Sequence, residues 1–215
     1  MHRSRHGHRD DRRTDLIGID DIRAALATRA PRELAASRRA AVAIVLSDIG
    51  PGPEVLFIER AERAGDPWSG HMAFPGGRVD PSDVDARAAA ERETREEVGL
   101  DLAVAESLGR LDDLRGMRLV VPLVLSAFVY RLDVRAPVVP NYEVRDAFWV
   151  PFADLFDPSR HVGHRWAGMR WPGVRVRNPD RPVVWGLTYR LLESLFATVG
   201  VAMPRRPRSD RSDEP

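Results

Sequence analysis

The sequence predicts an α+β protein with a mixed central β-sheet between helices. Three observations carry this. Strand-like and helix-like segments alternate along the chain. Two apolar runs, Ala40–Ser47 and Val55–Arg60, are joined by the turn "IGPGPE" and read as an antiparallel hairpin, which argues for a mixed rather than an all-parallel sheet. Apolar residues recur at helical spacing near both ends of the folded region.

Residues 1–13 and 204–215 are polar, charged and aperiodic, and are expected to be disordered tails around a single domain spanning 14–203. His2, His6 and His8 belong to the first tail and are read as solvated. Ile19, Ile22 and Leu26 then mark a short amphipathic helix, with Asp20 as its expected N-cap. "AAVAIVLS" (Ala40–Ser47) is continuously apolar, as a strand buried on both faces would be, and "VLFIER" (Val55–Arg60) returns beside it. "AERAGDPWSGHMAFPGG" reads as an irregular loop ending in a short strand near Met72–Phe74.

From Asp83 to Glu97 good helix formers predict a helix, which Gly99 terminates. "ESLGRLDDL" and "LVVPLVLSAFVY" read as strands. "DAFWVPFADL" reads as a short strand (Ala147–Val150) running into a helical turn. The segment from His161 to Gly186 is loop-rich, with a strand or two. Leu187, Leu191 and Leu195, with Tyr189 and Phe196, predict a closing amphipathic helix.

Composition narrows the function. The chain has 215 residues, 43% hydrophobic and 30% charged, with a net charge of +1, so no strong overall field attracts nucleic acid or membrane. Cysteine is absent, which excludes a disulfide framework, a thiolate zinc site and a cysteine nucleophile. No apolar run is long enough to span a bilayer. "MHRSRHGHRDDRR" lacks the apolar segment of a secretory signal, so a cytoplasmic location is expected.

The chemistry concentrates in "RETREEVGL" (Arg92–Leu100). Glu93, Glu96 and Glu97 lie at i, i+3 and i+4 and so share one side of the helix. Carboxylates this close raise one another's pKa, and the helix C-terminus adds further negative potential. Mg²⁺ or Mn²⁺, which prefer oxygen ligands, would relieve that conflict. Arg92 and Arg95 also relieve part of it, and from this stretch alone a solvated charged face explains the pattern as well as a metal does. "FPGG" (Phe74–Gly77) shifts the balance. Gly76 and Gly77 allow a tight turn and close backbone approach to a ligand. Ala86, Ala90 and Thr94 give the helix a small-residue face that can sit close on a sheet. Together these parts suit a metal–pyrophosphate site.

At this point the chain resembles the Nudix hydrolases. Gly77, Arg92, Glu93, Glu96, Glu97, Gly99 and Leu100 match that signature in order. Thr94 stands at its apolar position, the spacing before Arg92 is one residue longer, and the signature's first glutamate is replaced by Asp83 or by nothing. "FPGG", the added residue, Arg60, Ala61 and Gly70, and the later "WGLTYR" (Trp185–Arg190) are similar to the coenzyme A pyrophosphatase branch, although that branch's second arginine is displaced, with Arg63 nearby.

The resemblance implies a Nudix fold, an α/β/α sandwich, and hydrolysis of a nucleoside diphosphate derivative, with coenzyme A or acyl-CoA as the leading substrate. ADP-ribose, a dinucleotide or an oxidised nucleotide is the alternative, and a non-catalytic Nudix ligand-binding regulator ranks below both. It also implies that Glu93, Glu96, Glu97 and Gly77 hold Mg²⁺ or Mn²⁺. Glu96, Glu93 and Arg92 would serve catalysis, with Glu96 as ligand or base and Arg92 orienting a carboxylate. Arg60, Arg63, Gly76 and Glu143 would meet the substrate. The expected partner is a small nucleotide, with neither nucleic acid nor membrane involved. A homodimer is compatible with the family, though no residue argues for one. Trp68, Trp166, Trp171 and Trp185 could stack on an adenine, but each is read first as packing. His71 is read as structural, and His161 with His164 lacks a third zinc ligand.

Overall fold

A computed structural model describes residues 17–65, 68–116, 123–134, 137–177 and 182–204. The two expected tails lie outside the described residues apart from Pro204, as does part of "LVVPLVLSAFVY".

The first helix, α1 (Ile19–Ala27), buries Ile19, Ile22 and Leu26 as their spacing requires. Its N-cap is Gly18, not Asp20: the Gly18 N–H donates to the Asp21 carboxylate at 2.9 Å, so the acidic residue acts from inside the first turn. Strand β1 (Arg38–Ser47) pairs antiparallel with β2 (Glu54–Arg60), which is the expected hairpin. The short strands β3 (Met72–Ala73) and β4 (Gly76–Arg78) follow, β3 on β2 and β4 on the first half of β1.

Helix α2 (Ala86–Val98) starts three residues later than the composition suggests. Asp85 caps it by accepting from the Ala88 N–H at 2.8 Å, and Asp83 lies outside with another partner. Gly99 ends it in the left-handed region (φ 73°), which glycine adopts without a Cβ penalty.

Strands β5 (Glu106–Arg110), β6 (Leu114–Arg115) and β7 (Leu123–Leu132) come next, then β8 (Val144–Pro151), longer than the expected Ala147–Val150, and the short helix α3 (Phe152–Phe156). The segment expected to be mostly loop forms a second sheet of β9 (His161–Trp166), β10 (Met169–Arg175) and β11 (Val183–Trp185) in the order β11-β10-β9. The reversal after Trp166 is made by Ala167 and Gly168, both at positive φ. Helix α4 (Gly186–Thr198) closes the fold.

The main sheet is mixed. Strand β1 pairs in parallel with β7 along its whole length, and the other pairings are antiparallel. Alternation along β1 divides the interior into two layers. Ala41, Ala43 and Val45 join Ala89, Ala90 and Val98 of α2 on one face. Ile44 and Leu46 join α1 and α4 on the other. The arrangement is an α/β/α sandwich, with α2 seated on β1, β4 and β7. Among the described residues no helix is long and apolar enough to cross a membrane.

Candidate active site

The small face of α2 lets the helix lie against the sheet. Ala90 and Thr94 are fully buried, and the Thr94 hydroxyl donates to the Ala90 carbonyl at 2.7 Å, which explains how a polar residue occupies an apolar position. Strand β4 meets β1 through Gly76 and Gly77, opposite Val42 and Ala41. A Cβ on Gly76 would lie 2.3 Å from the Ala41 carbonyl oxygen, so only glycine permits this approach. A Cβ on Gly77 would lie 2.4 Å from the Glu93 carboxyl carbon, so the carboxylate rests directly on the glycine backbone.

The glutamates occupy distinct environments. Glu97 is buried and accepts from the Gly76 N–H at 2.8 Å. Burial pushes its pKa up to about 7, against the pull of that N–H and of Arg60, and the charges of Glu93 and Glu143 push it further. Glu93 is also raised, first by burial, with Arg92 opposing and Glu96 and Glu143 adding to the shift. Glu96 is the exposed member, its side chain 53% accessible.

Arg92 organises this row. Its guanidinium donates to Glu93 at 2.9 Å and to Glu96 at 3.3 Å. Its other edge makes a two-pronged bond to Asp83, at 2.9 and 3.0 Å, with the Asp83 side chain only 5% exposed. That bond holds the Asp83 carboxyl below its ordinary value and the guanidinium above its own. Asp83, left open between a role and none, is thus the anchor of Arg92. Glu91, one residue before, accepts from the Tyr130 hydroxyl of β7 at 2.8 Å and from Arg87, tying α2 to the sheet.

The remaining expected residues come to the same place. Arg63 pairs with Glu143 at 3.0 Å and lies over the Tyr142 ring. Arg60 and Glu143 are both close enough to act on Glu97. A cavity of about 380 Å³, lined by Ala61, Glu62, Tyr142, Val144 and Arg145, opens beside that pair.

Among the described residues no three acidic or histidine side chains stand together as a formed metal cage: Glu93 and Glu96 turn to Arg92, and Glu97 to Gly76. The donor chemistry nevertheless fits a hard divalent cation. The donors are all oxygen, the charge of Glu93 acts on Glu97, and glycine backbone lies against them where no side chain intrudes.

The four tryptophans that the sequence offers for stacking on an adenine, each read first as packing, come together with two histidines. Trp68, His71, His164, Trp166, Trp171 and Trp185 gather on the second sheet and the loop before β3. The two-residue spacing of His164 and Trp166 was the available signal. Their joint placement depends on strand register. His161 is buried, bonding the Leu155 carbonyl at 2.8 Å and facing Tyr189, in keeping with a structural histidine.

The fold is that of a MutT/nudix family protein from Enterococcus faecalis, at TM-score 0.53 and 16% identity over 87% of this chain and 71% of that one. Residues 37–171 match the NUDIX domain, and the chain belongs to the Nudix hydrolases. Among curated proteins it is similar to the mitochondrial coenzyme A diphosphatase NUDT8. The mouse protein is 31% identical over 183 residues, 79% of this chain and 85% of that one. The human protein is 31% identical over 159 residues, 72% of this chain and 66% of that one. An uncharacterised protein from Schizosaccharomyces pombe is 40% identical over 121 residues, half of this chain but only 34% of its own length.

Proposed function

We propose that this protein is a divalent-metal-dependent pyrophosphohydrolase, using Mg²⁺ or Mn²⁺, that cleaves coenzyme A or acyl-CoA. The observation that carries the reaction class is the union of Gly77 with Glu93, Glu96 and Glu97, with Arg60 and Glu143 close enough to act on Glu97. The likeness to NUDT8, together with "FPGG" and Arg60-Ala61, supports the substrate.

In this reading Glu93 and Glu97 would hold the cation, with Glu96 and the Gly77 carbonyl available to it. Such an ion would neutralise pyrophosphate charge and ease deprotonation of the attacking water. Glu96, the exposed carboxylate, meets the incoming water and takes its proton or shares in ligation. Arg92 fixes the Glu93 and Glu96 side chains, and Asp83 fixes Arg92. Arg60 and Arg63 face the phosphates, with Glu143 holding Arg63 in place. Water adds oxygen to one phosphorus, the bridging P–O bond breaks, and the leaving phosphate departs with the bond's electron pair.

The test is incubation with coenzyme A and Mg²⁺ or Mn²⁺, beside ADP-ribose, dinucleotides and an oxidised nucleoside triphosphate. Release of 3′,5′-ADP is expected. Turnover of another nucleotide without it would move the assignment to the alternative substrates. Binding without turnover of any would favour a regulator.

A further inference from the structure

The second sheet carries an aromatic face. In an antiparallel pair directly opposed residues share a face, and so do residues two apart. Strand β9 sets His164 opposite Trp171 and Trp166 opposite Met169, and β10 sets Gly173 opposite Trp185. His164, Trp166, Trp171 and Trp185 therefore project from one side. His164 lies 4.6 Å and Trp166 5.2 Å from the Trp185 ring, centroid to centroid. Gly173 leaves room for this: a Cβ there would come within 2.5 Å of Val183 and 3.4 Å of the Trp185 Cβ.

The loop between β2 and β3 lays two more rings on that face. Trp68 stacks on Trp166 at 5.9 Å with an 18° interplanar angle, and His71 meets Trp185 edge-on at 5.0 Å. The loop is held at both ends. The Ser69 hydroxyl accepts from the Arg63 N–H and donates to the Arg63 carbonyl, both at 2.8 Å, and the Arg60 N–H donates to the His71 carbonyl at 3.1 Å. One short segment thus carries Arg60, Arg63 and Trp68, and runs directly into Phe74–Gly77.

Packing alone is a poor reason for this cluster. Residues that serve a core are buried, yet Trp68 is 37% exposed, and His164, Trp166 and Trp171 are only half-buried. Trp185, at its centre, lies beyond the part of the chain that matches the NUDIX domain, which ends at residue 171. The other five rings of the cluster lie within that match. Burial also lowers the His164 pKa, which favours the neutral ring.

We propose that this aromatic face, with Trp68 as its exposed end, seats the nucleobase of the substrate while Arg60 and Arg63 hold the phosphates. The proposal rests on the nucleotide-hydrolase reading above and adds where the base goes. A base stacks on an aromatic face whatever its hydrogen-bonding edge, so the face selects for a planar ring more than for one particular base.

Titrating adenosine 5′-diphosphate and ribose 5-phosphate separately into wild type, Trp68→Ala and Trp68→Phe tests it by calorimetry, without need of turnover. Expected are an ADP affinity about 10-fold weaker in Trp68→Ala, recovery of most of it in Trp68→Phe, and ribose 5-phosphate affinity equal in all three proteins. With a hydrolysed nucleotide, Trp68→Ala should raise KM by a similar factor and leave kcat within about twofold. Unchanged ADP affinity in Trp68→Ala, no ADP binding to wild type, or an equal loss for ribose 5-phosphate would each overturn the proposal. Ring-dependent ADP binding by a protein that hydrolyses nothing would overturn the hydrolase reading and leave this one standing.

Discussion

Adding one methyl group at Gly77 probes the site more sharply than removing a carboxylate does. The Cβ of Gly77→Ala would lie 2.4 Å from the Glu93 carboxyl carbon and 2.5 and 2.6 Å from its oxygens. Ordinary contact needs about 3.5 Å, so the carboxylate must retreat by roughly 1 Å. The obstacle is the end of a flexible side chain and Gly77 is not at positive φ, so the strand and its pairing with Ala41 survive. The Arg92–Glu93 bond at 2.9 Å does not. A displacement of about 1 Å in a catalytic group can cost about 100-fold in rate, or about 2.7 kcal/mol of transition-state stabilisation. Expected is kcat/KM for coenzyme A, with saturating Mn²⁺, lowered about 100-fold, and a melting temperature within a few degrees of wild type. Gly76→Ala is the contrasting control. Its φ is +147° and its Cβ would strike the Ala41 carbonyl oxygen at 2.3 Å, where only backbone could yield. That variant should lose about 3 kcal/mol of stability and melt roughly 10 °C lower. Full activity in Gly77→Ala would refute the claim that the Glu93 position matters. A collapse of its melting temperature would show that the glycine serves the backbone instead.

Asp83→Asn weakens the anchor of Arg92, and activity should fall about 10-fold while circular dichroism stays unchanged. Wild-type rates would mean that the Asp83–Arg92 bond holds nothing the reaction uses. Glu97→Gln should abolish turnover and keep the fold. Burial raises the Glu97 pKa to about 7, so the stability cost of ionising it is absent below about pH 4 and fully present above pH 7. With chelator present, the Gln variant should therefore be more stable than wild type at pH 8, by roughly 3 kcal/mol at most, and the gap should close towards pH 5 in chemical denaturation. An equal gap at both pH values would refute this. Asp113 is the opposite case. Burial pushes its carboxyl up, but bonds from Arg39, the Leu34 N–H and Ser126 outweigh this and hold it below the ordinary value. Its contribution is present above about pH 4 and lost as pH falls through the lowered pKa. Asp113→Ala should cost about 3 kcal/mol at pH 7, read by urea unfolding, because Arg39 and Arg110 lose a fully buried partner.

Much of this protein was legible in its order of residues, because the relevant physics is local. The apolar run Ala40–Ser47, rich in valine and isoleucine, is what a strand buried on both faces requires. Ala86, Ala90 and Thr94 at steps of four give the helix a small face that can pack closely on a sheet. Spacings of three and four put Glu93, Glu96 and Glu97 on one side whatever surrounded them. Tertiary structure decided what local spacing cannot carry. Whether Asp83 had a task depended on where Arg92 turned, nine residues away across a loop and a helix start. The raised pKa of Glu97 needed the burial that β4 and β1 provide, together with Glu143 from β8's approach. The tryptophans, scattered from residue 68 to residue 185, read singly as packing. Strand register and one long loop put them on a common face, and register is a property of pairs of strands, which no single stretch of sequence contains.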